Sequence, residues 1–157
     1  MDEPAVFDRV VTTLDERNYE PLVHVPAAHS DAYANVLDRC RHHEITIRGR
    51  YPDVLGFTDA NRVFAIEVKG STNLLRGIGQ ALTYQQGAHV SYLAGHGDAV
   101  RPHTDLLRSK GVGVIGVDEG GTTAWRSPPS AESTAEVADI EGQLSLRLRG
   151  NEFGGDI

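Results

Sequence analysis

Asp53, Glu67 and Lys69 are the side chains in this 157-residue sequence whose types and spacing suit chemistry. They lie in RYPDVLGFTDANRVFAIEVKG, residues 50–70, where two apolar segments flank the polar turn TDAN. A hairpin turn centred on Ala60 sets Asp53 opposite Glu67, Leu55 opposite Ala65, and Phe57 opposite Val63. Directly opposed side chains share a face, with Cβ atoms roughly 4.5–5.5 Å apart. Lys69, two residues beyond Glu67, points to the same face. Val54, Phe64, Ile66 and Val68 form the other, so this strand pair is expected to be covered on both sides.

Two carboxylates about 5 Å apart repel by about 3 kcal/mol at an effective dielectric near 20. The arrangement persists if a cation sits between them or if one holds a proton. A hard divalent ion, Mg²⁺ or Mn²⁺, suits two carboxylates completed by water and a phosphate oxygen. Lys69 can then orient an attacking water and stabilise the charge that develops on phosphorus. On charge alone, a Lys69–Glu67 salt bridge at a sheet end, with Asp53 as a turn residue, accounts for the same three residues.

The written pattern separates these readings. Pro52-Asp53, followed fourteen residues after the aspartate by Glu67-Val68-Lys69, resembles the PD-(D/E)xK nuclease superfamily. The likeness extends over about residues 5–117, in the order helix, hairpin, helix, strand. Gln80 and Tyr84 add the Q-x-x-x-Y spacing found just after E-x-K in RecB-like exonucleases, one helical turn apart on one face. The resemblance implies a restriction-endonuclease-like α/β fold, a central mixed β-sheet flanked by helices. It implies a Mg²⁺-dependent deoxyribonuclease, either an exonuclease or a structure-specific endonuclease. Asp53 and Glu67 would be the metal ligands, Lys69 the catalytic cation, and Gln80 a further catalytic residue. Arg48, Arg50, Arg76, Gln80 and Tyr84 are the expected contacts to DNA. Many relatives take another metal ligand from a glutamate of the first helix. Here Glu3 lies nearest the apolar side but precedes Pro4, where it can serve as a cap, and Asp8 projects away from the apolar stripe. The alternative is a non-catalytic nucleic-acid-binding or scaffolding module on the same fold. The intact carboxylate pair argues against it, because a pure binder has no use for the repulsion. DNA is the expected partner, and both a homodimer and a larger DNA-processing complex are compatible.

Elements must position these residues. Pro4 suits a first helical turn, and Val6, Phe7, Val10, Val11 and Leu14 follow at helical spacing. PLVHV (21–25) reads as a strand, and residues 30–43 as a helix with a Ser30 N-cap. EITIRGR alternates as a strand leading into the hairpin. Residues 71–87 read as a capped helix weakened by Gly77 and Gly79. HVSYLA (89–94), GVGVIGV (111–117) and TTAWR (122–126) read as strands, with a short helix over 104–111. Strand–helix–strand repetition implies right-handed crossovers and a parallel component. The expected domain is 1–126. Residues 127–157 read as a linker and tail in which QLSLRLRG is an edge strand or an attachment to a partner.

Net charge is −7, yet residues 39–76 hold seven basic side chains against four acidic ones. That local patch can track phosphates, and His42 and His43 are assigned to it. Only Lys69 and Lys110 are lysines, against thirteen arginines. No apolar run approaches the roughly 20 residues that span a bilayer, the N-terminus lacks a signal-peptide pattern, and the single Cys40 excludes an intrachain disulfide. The expectation is a cytoplasmic protein without membrane partners. Two motifs are set aside. Residues 111–116 match G-x-G-x-x-G, but no helix follows. Cys40, His42, His43 and Glu44 lack the spacing of a zinc site.

Overall fold

The structure, a computed structural model, describes residues 1–121 and 123–154, the last five of these as backbone only. The protein is α/β, built on a seven-stranded mixed sheet. The strands are β1 (Leu22–Val23), β2 (Arg41–His42), β3 (Val54–Phe57), β4 (Val63–Val68), β5 (Val90–His96), β6 (Gly113–Val117) and β7 (Thr123–Arg126). Their order across the sheet is β2-β1-β3-β4-β5-β6-β7. The pairs β4/β5 and β5/β6 are parallel, whereas β3/β4 and β6/β7 are antiparallel. Thr122, read with the last strand, lies outside the described residues.

The hairpin has the register its turn predicts: Val54 pairs Ile66, Leu55 pairs Ala65, Gly56 pairs Phe64 and Phe57 pairs Val63. All six residues of β4 are buried. One face of the hairpin, with Val54, Phe64, Ile66 and Val68, packs against Val6, Phe7, Val10 and Val11 of helix α1 (Glu3–Glu16). The opposite face is covered by α3 (Leu74–Tyr84), with Ile78 and Ala81 against Leu93, and by α6 (Ala135–Gly154). The remaining helices are α2 (Ala34–Arg39), α4 (Gly97–Val100) and α5 (Thr104–Ser109).

Three expectations are corrected. The helix expected over 30–43 is a 3-10 segment, Ala27–Tyr33, followed by the short α2. Cys40 is already extended, because Arg41 and His42 pair in parallel with Leu22 and Val23. EITIRGR is not a strand. Ile47 and Arg50 exchange both backbone hydrogen bonds (2.8 and 3.1 Å) around Arg48-Gly49, whose φ angles are 53° and 77°. Such a turn needs positive φ at both central positions, which Gly49 supplies without a Cβ clash.

The third correction concerns the tail. QLSLRLRG belongs to α6 and is not an edge strand. Leu144, Leu146 and Leu148 alternate, but Val137, Ile140, Leu144 and Leu148 also recur at helical spacing, and the helix is what packs. Val137, Ile140 and Leu144 are buried, whereas Leu146 is 70% exposed. Arg147 donates to the His42 carbonyl (2.6 Å) and accepts at its own carbonyl from Arg41 (3.1 Å), tying α6 to the β2 edge. Ile140 and Leu144 share a core cluster with Leu55, Ala65 and Tyr84, so the hydrophobic core extends past residue 126. Leu144→Ala is therefore expected to cost about 2–5 kcal/mol of stability, measurable by denaturant unfolding. A loss under about 0.5 kcal/mol would mark α6 as a dispensable appendage.

Candidate active site

The hairpin, α1 and α3 converge on a cleft of about 540 Å³. Asp53 enters from the residue before β3, Glu67 from β4, Lys69 from just beyond β4, and Gln80 from α3. Asp53 Oδ2 accepts from the Val68 backbone N–H at 2.7 Å, which fixes the aspartate across the hairpin from Glu67. Glu67 is 4% exposed. Lys69 Nζ lies 3.6 Å from Glu67 Oε2 and 4.0 Å from Glu3 Oε1. The cleft thus joins three carboxylates and one ammonium.

Glu3 does not merely cap α1. Asp2 performs that role, its Oδ1 accepting from Ala5 N–H at 3.0 Å. Glu3 faces the cleft, where its Oε2 accepts from Tyr33 Oη at 2.7 Å. The residue that admits it is Gly70. A Cβ there would stand 2.7 Å from the Asp2 carbonyl carbon and the Glu3 nitrogen, so any larger residue would push the start of α1 away.

Gly77 has a related function inside α3, where glycine costs about 1 kcal/mol relative to alanine. Its missing side chain lets the stem of Lys69 cross the helix, since a Cβ would meet Lys69 Cγ at 2.8 Å and Leu93 Cδ1 at 2.7 Å. The apparent weakness in the helix makes room for Lys69.

Burial and the Glu67 charge push the Asp53 carboxyl well above the usual carboxylate range, and the Val68 hydrogen bond only partly opposes them. Burial likewise raises Glu67, against the Tyr84 hydrogen bond and the Lys69 charge. In the protein alone both carboxyls therefore hold their protons to higher pH than free side chains do, as expected for two close carboxyls in a low-dielectric site.

The other expected contacts divide. Arg50 and Arg76 line the cleft, exposed and without an ion pair among the described residues. Gln80 also lines it, with Oε1 buried and lacking a hydrogen-bond partner. Tyr84 is 1% exposed and is no surface contact. Its Oη donates to Glu67 Oε1 at 2.8 Å and lies 3.2 Å from the Tyr51 carbonyl, so it holds the glutamate in place. Arg48 is diverted altogether. Its guanidinium grips Glu136 of α6 through two bonds, 3.0 and 2.6 Å, away from the cleft. His43 is not part of a basic patch either. It is fully buried, and burial lowers its pKa to about 4. The neutral ring accepts from Ile45 N–H at 3.0 Å and lies 2.8 Å from the Pro52 carbonyl, to which Nε2–H donates. Through that bond it fixes the segment that presents Asp53.

Sequence reasoning passed over His43, Tyr33, Gly70 and Gly77 as parts of this site. Gly70, immediately after E-x-K, and Gly77, unfavourable inside a helix, carried a local signal.

No family model matches the chain, and no curated protein does. Among solved structures, a protein of unknown function from Silicibacter pomeroyi shares the fold with a TM-score of 0.59. The match spans 98% of this chain and 90% of that one, at 15% sequence identity. At that identity the likeness concerns the fold alone. No described helix is long and apolar enough to cross a membrane.

Proposed function

We propose that the protein is a metal-dependent nuclease that hydrolyses DNA phosphodiester bonds on a restriction-endonuclease-like fold. The observation that carries this reading is the pairing of a buried Glu67 with a half-buried Asp53 whose ionisation the Glu67 charge opposes, with Lys69 Nζ 3.6 Å from Glu67. A salt bridge alone needs one carboxylate, and the second makes the metal-free site worse. The non-catalytic alternative leaves that repulsion, and the partnerless Gln80 Oε1, without a use.

Among the described residues no three His, Cys, Asp or Glu side chains gather into a preformed metal cage. The donor set fits a hard ion held by Asp53 and Glu67, with water and substrate oxygens completing its shell, as Mg²⁺ and Mn²⁺ prefer. Such an ion would supply Lewis-acid polarisation of the phosphoryl group. The chain's own groups do the rest. Lys69 orients the attacking water and stabilises the added negative charge on phosphorus. Tyr84 and His43 keep Glu67 and Asp53 in position. Arg50 and Arg76 bind the flanking phosphates, and Gln80 Oε1 accepts a hydrogen bond from the incoming water.

The deciding experiment incubates linear, circular, single-stranded and junction DNA, with RNA controls, across divalent metals and salt. Cleavage that requires Mg²⁺ or Mn²⁺ and is abolished by chelation is expected. No cleavage of any substrate in any metal would sink the proposal.

Glu3 adds a graded prediction. Gly70→Ala should displace the Asp2–Glu3 backbone and loosen Glu3 from Lys69. Outer-shell losses of this kind typically cost about 10–100-fold in metal affinity or activity. The readout is the Mg²⁺ concentration for half-maximal cleavage, beside a circular-dichroism spectrum of unchanged shape. An unshifted metal requirement would show that Glu3 has no part in the site.

A further inference from the structure

The cleft wall beside Asp53 carries an aromatic surface that the hydrolytic groups leave unused. Tyr51 is 42% exposed. Its ring lies flat on His24, with centroids 4.0 Å apart and planes 3° from parallel. The rings of His42 and His43 lie 4.9 Å and 5.8 Å from that of His24. The stack is anchored at several points. His24 Nδ1 lies 3.0 Å from the His43 carbonyl, which can only accept, so the nitrogen carries the proton. The His24 backbone N–H donates to the Asp53 carbonyl at 3.0 Å. The Pro52 carbonyl accepts from His43 Nε2–H, and Tyr84 Oη lies 3.2 Å from the Tyr51 carbonyl. The bonds that set Asp53 thus also set the Tyr51 ring. One ring face is covered by His24, and the partly exposed Tyr51 lines the cleft together with Asp53, Glu67 and Arg50.

We propose that Tyr51, backed by His24, is a stacking platform for an unpaired nucleobase, so that the cleft accepts single-stranded DNA or a frayed end in preference to closed duplex. The inference rests on the phosphodiester reading above and names the substrate class of that site. A base inside a duplex is already stacked on both faces and reaches a protein ring only by leaving the stack. An unpaired base has a free π-face whatever its identity, and rigid aromatic side chains beside cationic ones are how sequence-tolerant single-strand sites are built. Arg50, the residue before Tyr51, is placed to hold the adjoining phosphate.

The test measures binding without divalent metal, where nothing is cut, by anisotropy of a labelled 12-nucleotide single strand and of a duplex closed by hairpins at both ends. Wild-type protein should prefer the single strand. Tyr51→Ala should weaken single-strand binding by about 5–100-fold, Tyr51→Phe should stay within about twofold of wild type, and the closed duplex should be unaffected. Single strands with an abasic site walked along them need no variant. At one position the missing base should cost wild-type protein the same factor, and Tyr51→Ala nothing further. An equal loss on closed duplex, no loss with Tyr51→Ala, indifference to every abasic position, or no binding at all would overturn the platform. Base-dependent binding without metal-dependent cleavage would support it while removing the nuclease. Cleavage indifferent to Tyr51 and to the missing base would do the reverse.

Discussion

Lys69→Arg is expected to slow metal-dependent cleavage by at least about 10²-fold while leaving metal binding largely intact. Loss of one well-placed electrostatic contact in a transition state typically costs 10²–10³ in rate. Lys69 is 14% exposed, with Nζ between Glu67 Oε2 and Glu3 Oε1, and its stem crosses α3 only because residue 77 is glycine. That channel fits a slim alkyl chain ending in a compact ammonium. A guanidinium is a broad planar fork and cannot direct a single N–H to one water in the same space. This chain uses arginine for nearly every other cation, so arginine at 69 would keep the charge and change only the shape. A mere salt bridge would tolerate the swap, since arginine keeps the charge and its guanidinium pairs readily with carboxylates. Single-turnover cleavage at saturating Mg²⁺ measures the difference. A variant that cuts within about threefold of wild type would remove Lys69 from the chemistry.

Asp53→Asn should abolish cleavage and, without metal, raise stability at neutral pH by up to about 3 kcal/mol, the repulsion between two close carboxylates. Asparagine keeps an oxygen that can accept the Val68 N–H. The pH dependence follows from the raised Asp53 value. Above the ordinary aspartate value of 3.8 the unfolded chain has released its proton while the folded protein still holds one. The stabilisation is complete below that pH and is lost as pH rises through the folded value. Wild type and Asp53→Asn should therefore melt together in acid and diverge toward neutrality, the variant higher. Added Mg²⁺ should reverse the order, because ligand binding stabilises only the protein that binds it. A variant that melts well below wild type at pH 7 in chelator would show that Asp53 is structural.

The facing of Asp53, Glu67 and Lys69 was legible in the sequence because a hairpin register follows from its turn, and a period of two then assigns every side chain to a face. The apolar spacing of α1 was legible for the same kind of reason: local period and turn chemistry are short-range properties. Whatever depends on contact between distant segments was not. Glu3 reaches the cleft because Gly70 lets the start of α1 approach the end of β4, 67 positions away in sequence. Tyr84 turns inward to Glu67 because α6 and the sheet bury it, although its helical spacing equally fits an outward face. Arg48 goes to Glu136, 88 residues along the chain, and no local pattern distinguishes it from Arg50. QLSLRLRG satisfies two periods at once, and the helix is realised because Ile140 and Leu144 fill the core beneath it. The sequence by itself determined which groups could share a face. Packing decided which of them meet, because burial energy is gained only between segments that the chain must first bring together.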